Sequence, residues 1–365
     1  MQTKTFYRGV FVAAFLAIAA HAPAHAQDYF DNKKINMILG FAPGGPIDLA
    51  ARTMAPYLKK HTPGNPTIIV QNMPGANTFT AHNHVFNAKG DGENIFYGSW
   101  FAVSQIVDDP AVRFKYQDFS IIGAGKSGGF LLLANPDIVP GGLTKSADIV
   151  KARKLHFPGQ GPTNTFDLLG RMSLEVFKLP YNYTLGYRGV ADTRQALTQK
   201  EGDIIVDSTT GFRSVDEDML VKPGLAKVLW AIPDQDANGN YVRNDMIPEV
   251  PTIVEVYKEA FGKEPSGIEW DAFDLVIKIN SVFTGFFAGP PNMDKRALEA
   301  LRKGWSGMLQ DPEFQADTQK RFGYVIKEVP LASASKVIDT LGHLKPELVA
   351  HLKKHIAEEA QEKKP

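Results

Sequence analysis

Strand-length apolar runs alternate with helical periodicities through the first third of the chain. Positions 35–41 form an apolar run that reads as a buried strand. It passes directly into Ala42-Pro43-Gly44-Gly45-Pro46, after which Ile47, Ala50, Ala51, Met54 and Leu58 recur at helical spacing. Gly45 suits the N-cap of that helix and Pro46 its first residue, because a first helical turn leaves its N–H groups unpaired and proline has none to lose. Positions 67–71 predict a second strand, Asn72-Met73-Pro74-Gly75 a turn, 76–86 a helix, Lys89-Gly90-Asp91-Gly92 a turn and 94–98 a third strand. This order predicts a parallel sheet covered by helices.

From Phe119 the pattern changes. Two β-rich runs, 120–123 and 130–134, are divided by a glycine-rich stretch, which predicts a crossing into a second lobe. That lobe repeats the design of the first: strand 155–158, polar loop 159–164, helix 165–177, strand 183–187, helix 190–199 and strand 203–207. The run 228–232 is expected to cross back, the amphipathic helix 294–309 to close the first lobe, and 333–359 to be helical and charged. The expected organisation is a leader over 1–26, a first lobe from 27–127 and 229–365, and a second lobe over 128–228. The first lobe carries a long insertion at about 233–285. No low-complexity segment or short repeat interrupts this α/β pattern.

Composition narrows the function. Lys4 and Arg8, the apolar run 10–20 and Ala24-His25-Ala26 together predict a secretory leader cleaved before Gln27. The chain has no cysteine, so disulfides, a thiol nucleophile and a lipidated N-terminal cysteine are excluded. It has 40 basic and 40 acidic residues, and removing the leader takes away two basic ones and leaves a slight acidic excess. No basic field marks a nucleic-acid or membrane-surface partner, and a soluble monomer without a cofactor is expected.

The candidate chemistry lies in two loops of one design. Gly44 and Gly45 let backbone approach a ligand, and the helix that follows aims free N–H groups and its positive end at that place. Gly159-Gln160-Gly161-Pro162-Thr163-Asn164-Thr165 occupies the same strand-to-helix position in the second lobe. Two helix starts facing across a cleft would hold a carboxylate without a fixed cation. Each loop is also readable as an ordinary turn, and Asp48, in the first turn of its helix, either stabilises the helix dipole or holds a bridging water.

The run Met37-Ile38-Leu39-Gly40-Phe41-Ala42-Pro43-Gly44-Gly45-Pro46-Ile47-Asp48-Leu49-Ala50-Ala51-Arg52 resembles the opening of the Bug family, the substrate receptors of tripartite tricarboxylate transporters. Further matches follow in order: Val70-Gln71-Asn72-Met73-Pro74-Gly75-Ala76, Asp91-Gly92, Gly98-Ser99, Tyr187-Arg188-Gly189, Gly202-Asp203, Asp207-Ser208, Pro248-Glu249-Val250-Pro251-Thr252 with Glu255, and Gly289-Pro290-Pro291. The resemblance implies a two-lobed periplasmic binding protein, type II-like, with a ligand cleft between the lobes. It would be a receptor and not an enzyme, closing on a di- or tricarboxylate or an aromatic acid and passing it to membrane subunits of a transporter. By position it implies ligand contacts at Ala42, Gly44, Gly45, Asp48, Asn77, Ser99, Gly161, Thr163, Asn164, Gly189 and Asp207. Two departures stand out. Pro46 replaces a glycine often found there, removing one N–H donor. The insertion brings aromatic residues Trp270, Phe273, Phe283, Phe286 and Phe287. Phe41, Trp100, Phe101 and Phe166 would either stack on an aromatic acid or belong to the lobe cores.

Other motifs lack their context. Gly125-Lys126-Ser127 ends like a phosphate-binding loop, but Ser120 stands where the first glycine belongs and a strand follows instead of a helix. The same objection weakens Gly125-Lys126-Ser127-Gly128-Gly129 as a nucleophile elbow, leaving a secreted ester hydrolase using Ser127 as the enzymatic alternative. A ligand-sensing subunit of a membrane signalling system is a further alternative. Asp234, Asp236, Asn238, Asn240 and Asp245 have the spacing of a calcium loop without flanking helices, which favours a hairpin turn. His82 and His84 fall on different helix faces, and His343, His351 and His355 in the charged tail do not complete a metal shell.

Overall fold

A computed structural model describes residues 28–236 and 239–361. The leader expected over 1–26 lies outside the described residues, as does Asn238. The chain opens with β1 (Lys34–Leu39), α1 (Pro46–His61), β2 (Thr67–Asn72), α2 (Phe79–Phe86), β3 (Asn94–Gly98), α3 (Ala102–Ile106) and β4 (Ser120–Lys126). It then crosses to β5 (Phe130–Ala134), β6 (Leu155–Gly159), α4 (Thr165–Val176), β7 (Tyr181–Leu185), α5 (Val190–Thr198) and β8 (Ile204–Ser208). A short α6 (Thr209–Gly211) runs on into a π-helical segment, Phe212–Val221, before β9 (Lys227–Ala231). The insertion folds as a hairpin of β10 (Asp234–Gln235) and β11 (Tyr241–Val242) followed by α7 (Ile253–Phe261) and α8 (Ile268–Ser281). The chain ends with β12 (Gly285–Gly289), α9 (Lys295–Gln310), α10 (Pro312–Phe322), β13 (Lys327–Val329), α11 (Leu331–Thr340) and α12 (Pro346–Gln361).

The larger sheet has the order β13-β4-β12-β3-β1-β2. Its half made of β2, β1 and β3 is parallel, as expected of strands joined by helical crossovers. The other half is antiparallel, because β12 and β13 return from the far end of the chain. The smaller sheet pairs β8, β5 and β9 antiparallel. The parallel pair β6 and β7 lies beside it, joined where the Asp203 N–H donates to the His156 carbonyl (2.8 Å). The strand 227–231 stays in this second sheet instead of crossing back, and the chain regains the larger sheet only at Gly285. The result is a two-lobed α/β fold.

Local sequence explains most elements. Gly45 caps α1 and Pro46 takes its first turn. The apolar face, with Ala51, Met54 and Leu58, packs on Ile35, Met37 and Leu39 of β1 and on Leu301 and Trp305 of α9. Trp305 lies so close to β4 that a Cβ on Gly123 would meet its ring at 2.4 Å, so glycine is required there. The helix expected to start at position 76 begins only at Phe79. Ala76, Asn77 and Thr78 are left-handed (φ 47°, 49° and 75°). This turn presses onto Gly40, where a Cβ would lie 2.4 Å from the Thr78 Cβ.

The largest apolar cluster does not respect the two sheets. It joins Phe96 and Phe286 of the larger sheet to Leu132, Phe157 and Leu169 of the second lobe through Phe273 and Ile277 of α8 and Leu352 of α12. Phe273, Phe283, Phe286 and Phe287 are buried core, and Trp270 is partly buried. No helix among the described residues is long and apolar enough to cross a membrane.

Candidate functional site

The two crossings between the sheets meet beside a cavity of about 380 Å³. Gly125, Ser127, Gly128 and Gly129 come from the first crossing, and Asn280, Phe283, Thr284 and Gly285 from the second. The crossings are bonded to each other: the Thr284 N–H donates to the Gly125 carbonyl (2.9 Å), and the Ser127 N–H donates to Thr284 Oγ1 (3.1 Å). The larger sheet contributes Phe41, Asn77, Ser99, Trp100 and Phe101 from turns after β1, β2 and β3. Facing them are Phe130, Gln160, Asn164, Thr165, Phe166, Ser208 and Thr210 of the second lobe.

No side chain lining the cavity, among the described residues, carries a formal charge. Hydroxyls, amides and rings line it instead. Phe130 and Phe166 meet edge to face at 5.3 Å, and Trp100 and Phe283 lie 4.6 Å apart.

The residues nominated from sequence divide into two groups. Asn77, Ser99 and Asn164 line the cavity. Ala42, Gly44, Gly45, Asp48, Gly161, Thr163, Gly189 and Asp207 do not, and for several of these the reason is visible. Asp48 is buried and accepts from the Gly44 N–H (2.9 Å), Asn72 Nδ2 (2.9 Å) and Arg52 Nε (3.0 Å). The Arg52 bond, with the Gly44 and Asn72 bonds behind it, holds its pKa down at about 2, so it is an anion pinning its own loop. Asp167 in the first turn of α4 repeats the device, accepting from the N–H groups of Gln160 (2.6 Å) and Gly161 (2.8 Å) and from the Tyr183 hydroxyl (2.5 Å). Burial pushes its pKa up against those bonds. In both lobes, loop amides that sequence reasoning left open for a ligand are taken by an aspartate of the following helix.

Asp207 is likewise enclosed. Its carboxylate accepts from the Ser208 N–H (2.6 Å) and pairs with Arg194, whose Nε reaches Asp216 at 2.5 Å. Burial, followed by the neighbouring Asp207 carboxylate, pushes Asp216 up to about 7. Asp207 therefore sets the position of Ser208, which does face the cavity.

In α2, buried His82 meets the Thr78 carbonyl through Nδ1 (3.1 Å) and the Tyr116 hydroxyl through Nε2 (3.3 Å). Its ring stacks on Phe114 and lies 3.8 Å from Phe96. Burial pulls its pKa down to about 4, so the ring is neutral near pH 7. It braces the turn that carries Asn77.

Ser127 Oγ lies 3.2 Å from Thr284 Oγ1, and no histidine lines its cavity among the described residues. Strand β5 follows it where a nucleophile elbow needs a helix. In the segment with calcium-loop spacing, Asp234 pairs with Lys126 (2.6 Å) and accepts from Asn244 Nδ2 (2.8 Å), Asp236 accepts from the Asn240 N–H (2.8 Å), and Asp245 pairs with Lys327. The described residues hold no group of three metal-capable side chains.

Sequence reasoning missed Ser208, Thr210, Asn280 and Thr284 as cavity residues. Ser208 and Thr210 had a signal, being the strand-to-helix step directly after Asp207. Asn280 and Thr284 had none, since tertiary packing alone brings the end of the insertion to the first crossing.

No family model matches the chain. Its sequence is 26% identical over 348 residues to a UPF0065 protein of Bordetella pertussis, covering 88% of this chain and 96% of that protein. It is 26% identical over 236 residues to a UPF0065 protein of Agrobacterium vitis, covering 64% of each. Among solved structures, a TctC solute-binding protein from Polaromonas aligns with TM-score 0.64 and 16% identity, covering 89% of this chain and 98% of that one. The periplasmic binding protein BugD aligns with TM-score 0.58 and 20% identity over 88% of this chain and 97% of its own. MatC of Rhodopseudomonas palustris, solved with bound malate, gives TM-score 0.58 and 18% identity over 89% and 99%. The fold is therefore that of periplasmic binding proteins, and the resemblance to the Bug family found in the sequence holds.

Proposed function

We propose that this chain, similar in sequence to UPF0065 proteins of the Bug family and alike in fold to TctC and BugD, is a periplasmic receptor for a small carboxylate. It would serve a tripartite tricarboxylate transporter and catalyse no reaction. The observation that carries this reading is the cavity at the lobe junction, which presents neutral hydrogen-bond donors from both sides and, among the described residues, no acid–base pair. Donors fixed by the fold can hold an anion without a counter-charge, since they need not reorganise on binding.

Residues 28–127 and those from 285 onward form one lobe in this proposal, and 128–231 the other, with the insertion between them. Asn77 and Ser99 would meet the ligand from the first lobe, and Asn164, Thr165, Ser208 and Thr210 from the second. Asp167 and Asp207 act behind the second-lobe contacts by holding the loop before α4 and the step after β8, and Asp48 holds the neighbouring first-lobe loop. Contacts to both lobes exist together only when the cleft is shut, so ligand shifts the population toward the closed form. The malate bound to MatC fits the same class of guest.

A thermal-shift series against malate, adipate, citrate and benzoate, with neutral sugars as controls, tests the reading. At a hundredfold excess over Kd, a specific carboxylate should add about 2.7 kcal/mol of apparent stability. A chain whose midpoint no carboxylate raises above the sugar controls is not this receptor.

A further inference from the structure

Resting on the receptor reading above, we infer that the cavity selects a ring-bearing acid with a single carboxylate over the aliphatic di- and tricarboxylates. The first ground is the apolar wall. Phe41, Phe101, Phe130 and Phe166 line the cavity and are only partly buried. Trp100 and Phe283 also line it, their rings 4.6 Å apart. Partly wet rings converging from both lobes leave apolar surface in water that a flat apolar guest would cover, and stacked or edge-to-face ring pairs add to that gain. A short hydroxy-diacid such as malate would cover little of it and would have to shed its hydration against the rings.

The second ground is charge. Among the described residues the cavity lining carries no cation, so every guest carboxylate depends on neutral donors. Gly44, Gln160 and Gly161, whose amides could have served a second carboxylate, already donate to Asp48 and Asp167. Those aspartates stand behind the two loops and occupy their amides, Asp48 being itself paired with Arg52 (2.9 Å). On the second lobe the donors left together are Asn164 and Thr165 at the start of α4, because the Ser208 hydroxyl donates to Asp207 (3.2 Å) and the Thr210 hydroxyl to Ser208 (3.1 Å). Phe166 follows Thr165 immediately, so the carboxylate donors and the ring surface are adjacent in the chain. One carboxylate attached to one ring satisfies both.

Isothermal titration of the protein with benzoate, phenylacetate, terephthalate, malate, adipate and citrate tests this. Benzoate or phenylacetate should bind at least about tenfold tighter than malate, adipate or citrate, a gap of about 1.4 kcal/mol. Phe166→Leu, which keeps the helix and its apolar contacts, should narrow that gap for the ring acids and leave malate unchanged. Phe166→Ala should close the gap further. Malate, adipate or citrate binding as tightly as the ring acids overturns the selectivity and leaves the receptor reading intact. Terephthalate binding tighter than benzoate overturns the single-carboxylate part. No binding by any of the acids overturns the receptor reading and this inference with it.

Discussion

His82 shows how one buried ring ties stability to acidity. Its pKa falls from 6.5 to about 4 because burial disfavours the imidazolium, and its bonds to the Thr78 and Ser99 backbone only partly offset this. Between those two values the unfolded chain binds a proton that the folded chain does not. Stability is therefore complete above pH 6.5 and declines as pH drops toward 4. A thermal midpoint followed from pH 7 to 4 should show this decline, and His82→Gln, which stays neutral, should flatten it. An unchanged slope in that variant would show that His82 is not the group responsible. Asp216 works in the other direction: its pKa is raised to about 7, so it favours the folded state at low pH and loses that advantage as pH rises toward neutrality. The two slopes oppose each other, which is why the single variant is needed to read the histidine.

At the scale of elements, the start of α4 serves as a helix cap and as part of the cavity wall together. The Asn164 side chain accepts from the N–H groups of Phe166 (2.9 Å) and Asp167 (3.4 Å), satisfying donors that no helix can satisfy internally. The same residue lines the cavity. Asn164→Ala should lower stability by about 1 kcal/mol in urea unfolding and weaken ligand binding as well. Asn164→Ser, which restores a cap but not the amide, should recover the stability and not the affinity. Recovery of both would limit Asn164 to capping. The other end of α4 is tied down separately: Glu175 pairs with buried His355 of α12 at 2.8 Å, and Lys353 of α12 reaches Asp108 of the first lobe. The terminal helix therefore touches both lobes.

For the molecule as a whole, α8 and α12 turn two lobe cores into one continuous apolar cluster. Cores joined this way should melt together, so calorimetry of the ligand-free protein is expected to give a single transition. Phe273→Ala removes a ring buried between the lobes. It should destabilise the fold by about 3–5 kcal/mol and shift that whole transition, or split it in two by uncoupling the lobes. Two separate transitions in the unmodified chain would show that the cluster does not couple them.

Local pattern was enough wherever neighbours in sequence decide the outcome. Strand β3 lies where its apolar run placed it, α1 has the Gly45 cap and Pro46 start that its sequence calls for, and α9 follows its amphipathic face. Both helix-start loops, the hairpin at 234–242 and the β4 to β5 crossing belong to the same class of short-range decisions. Contacts between distant segments were not legible. The left-handed turn at Ala76–Thr78 exists because it settles on Gly40, and β9 joins the second sheet because β5 offers it an edge. Asp48 and Asp167 show the limit most clearly. Their spacing from the loops was plain in the sequence, but only the folded backbone turns those loop amides inward onto the carboxylates and leaves the cavity to be lined by side chains gathered from separate turns of both lobes. Periodicity fixes what a segment buries, whereas which polar groups remain unspent depends on partners that the fold alone brings within hydrogen-bonding reach.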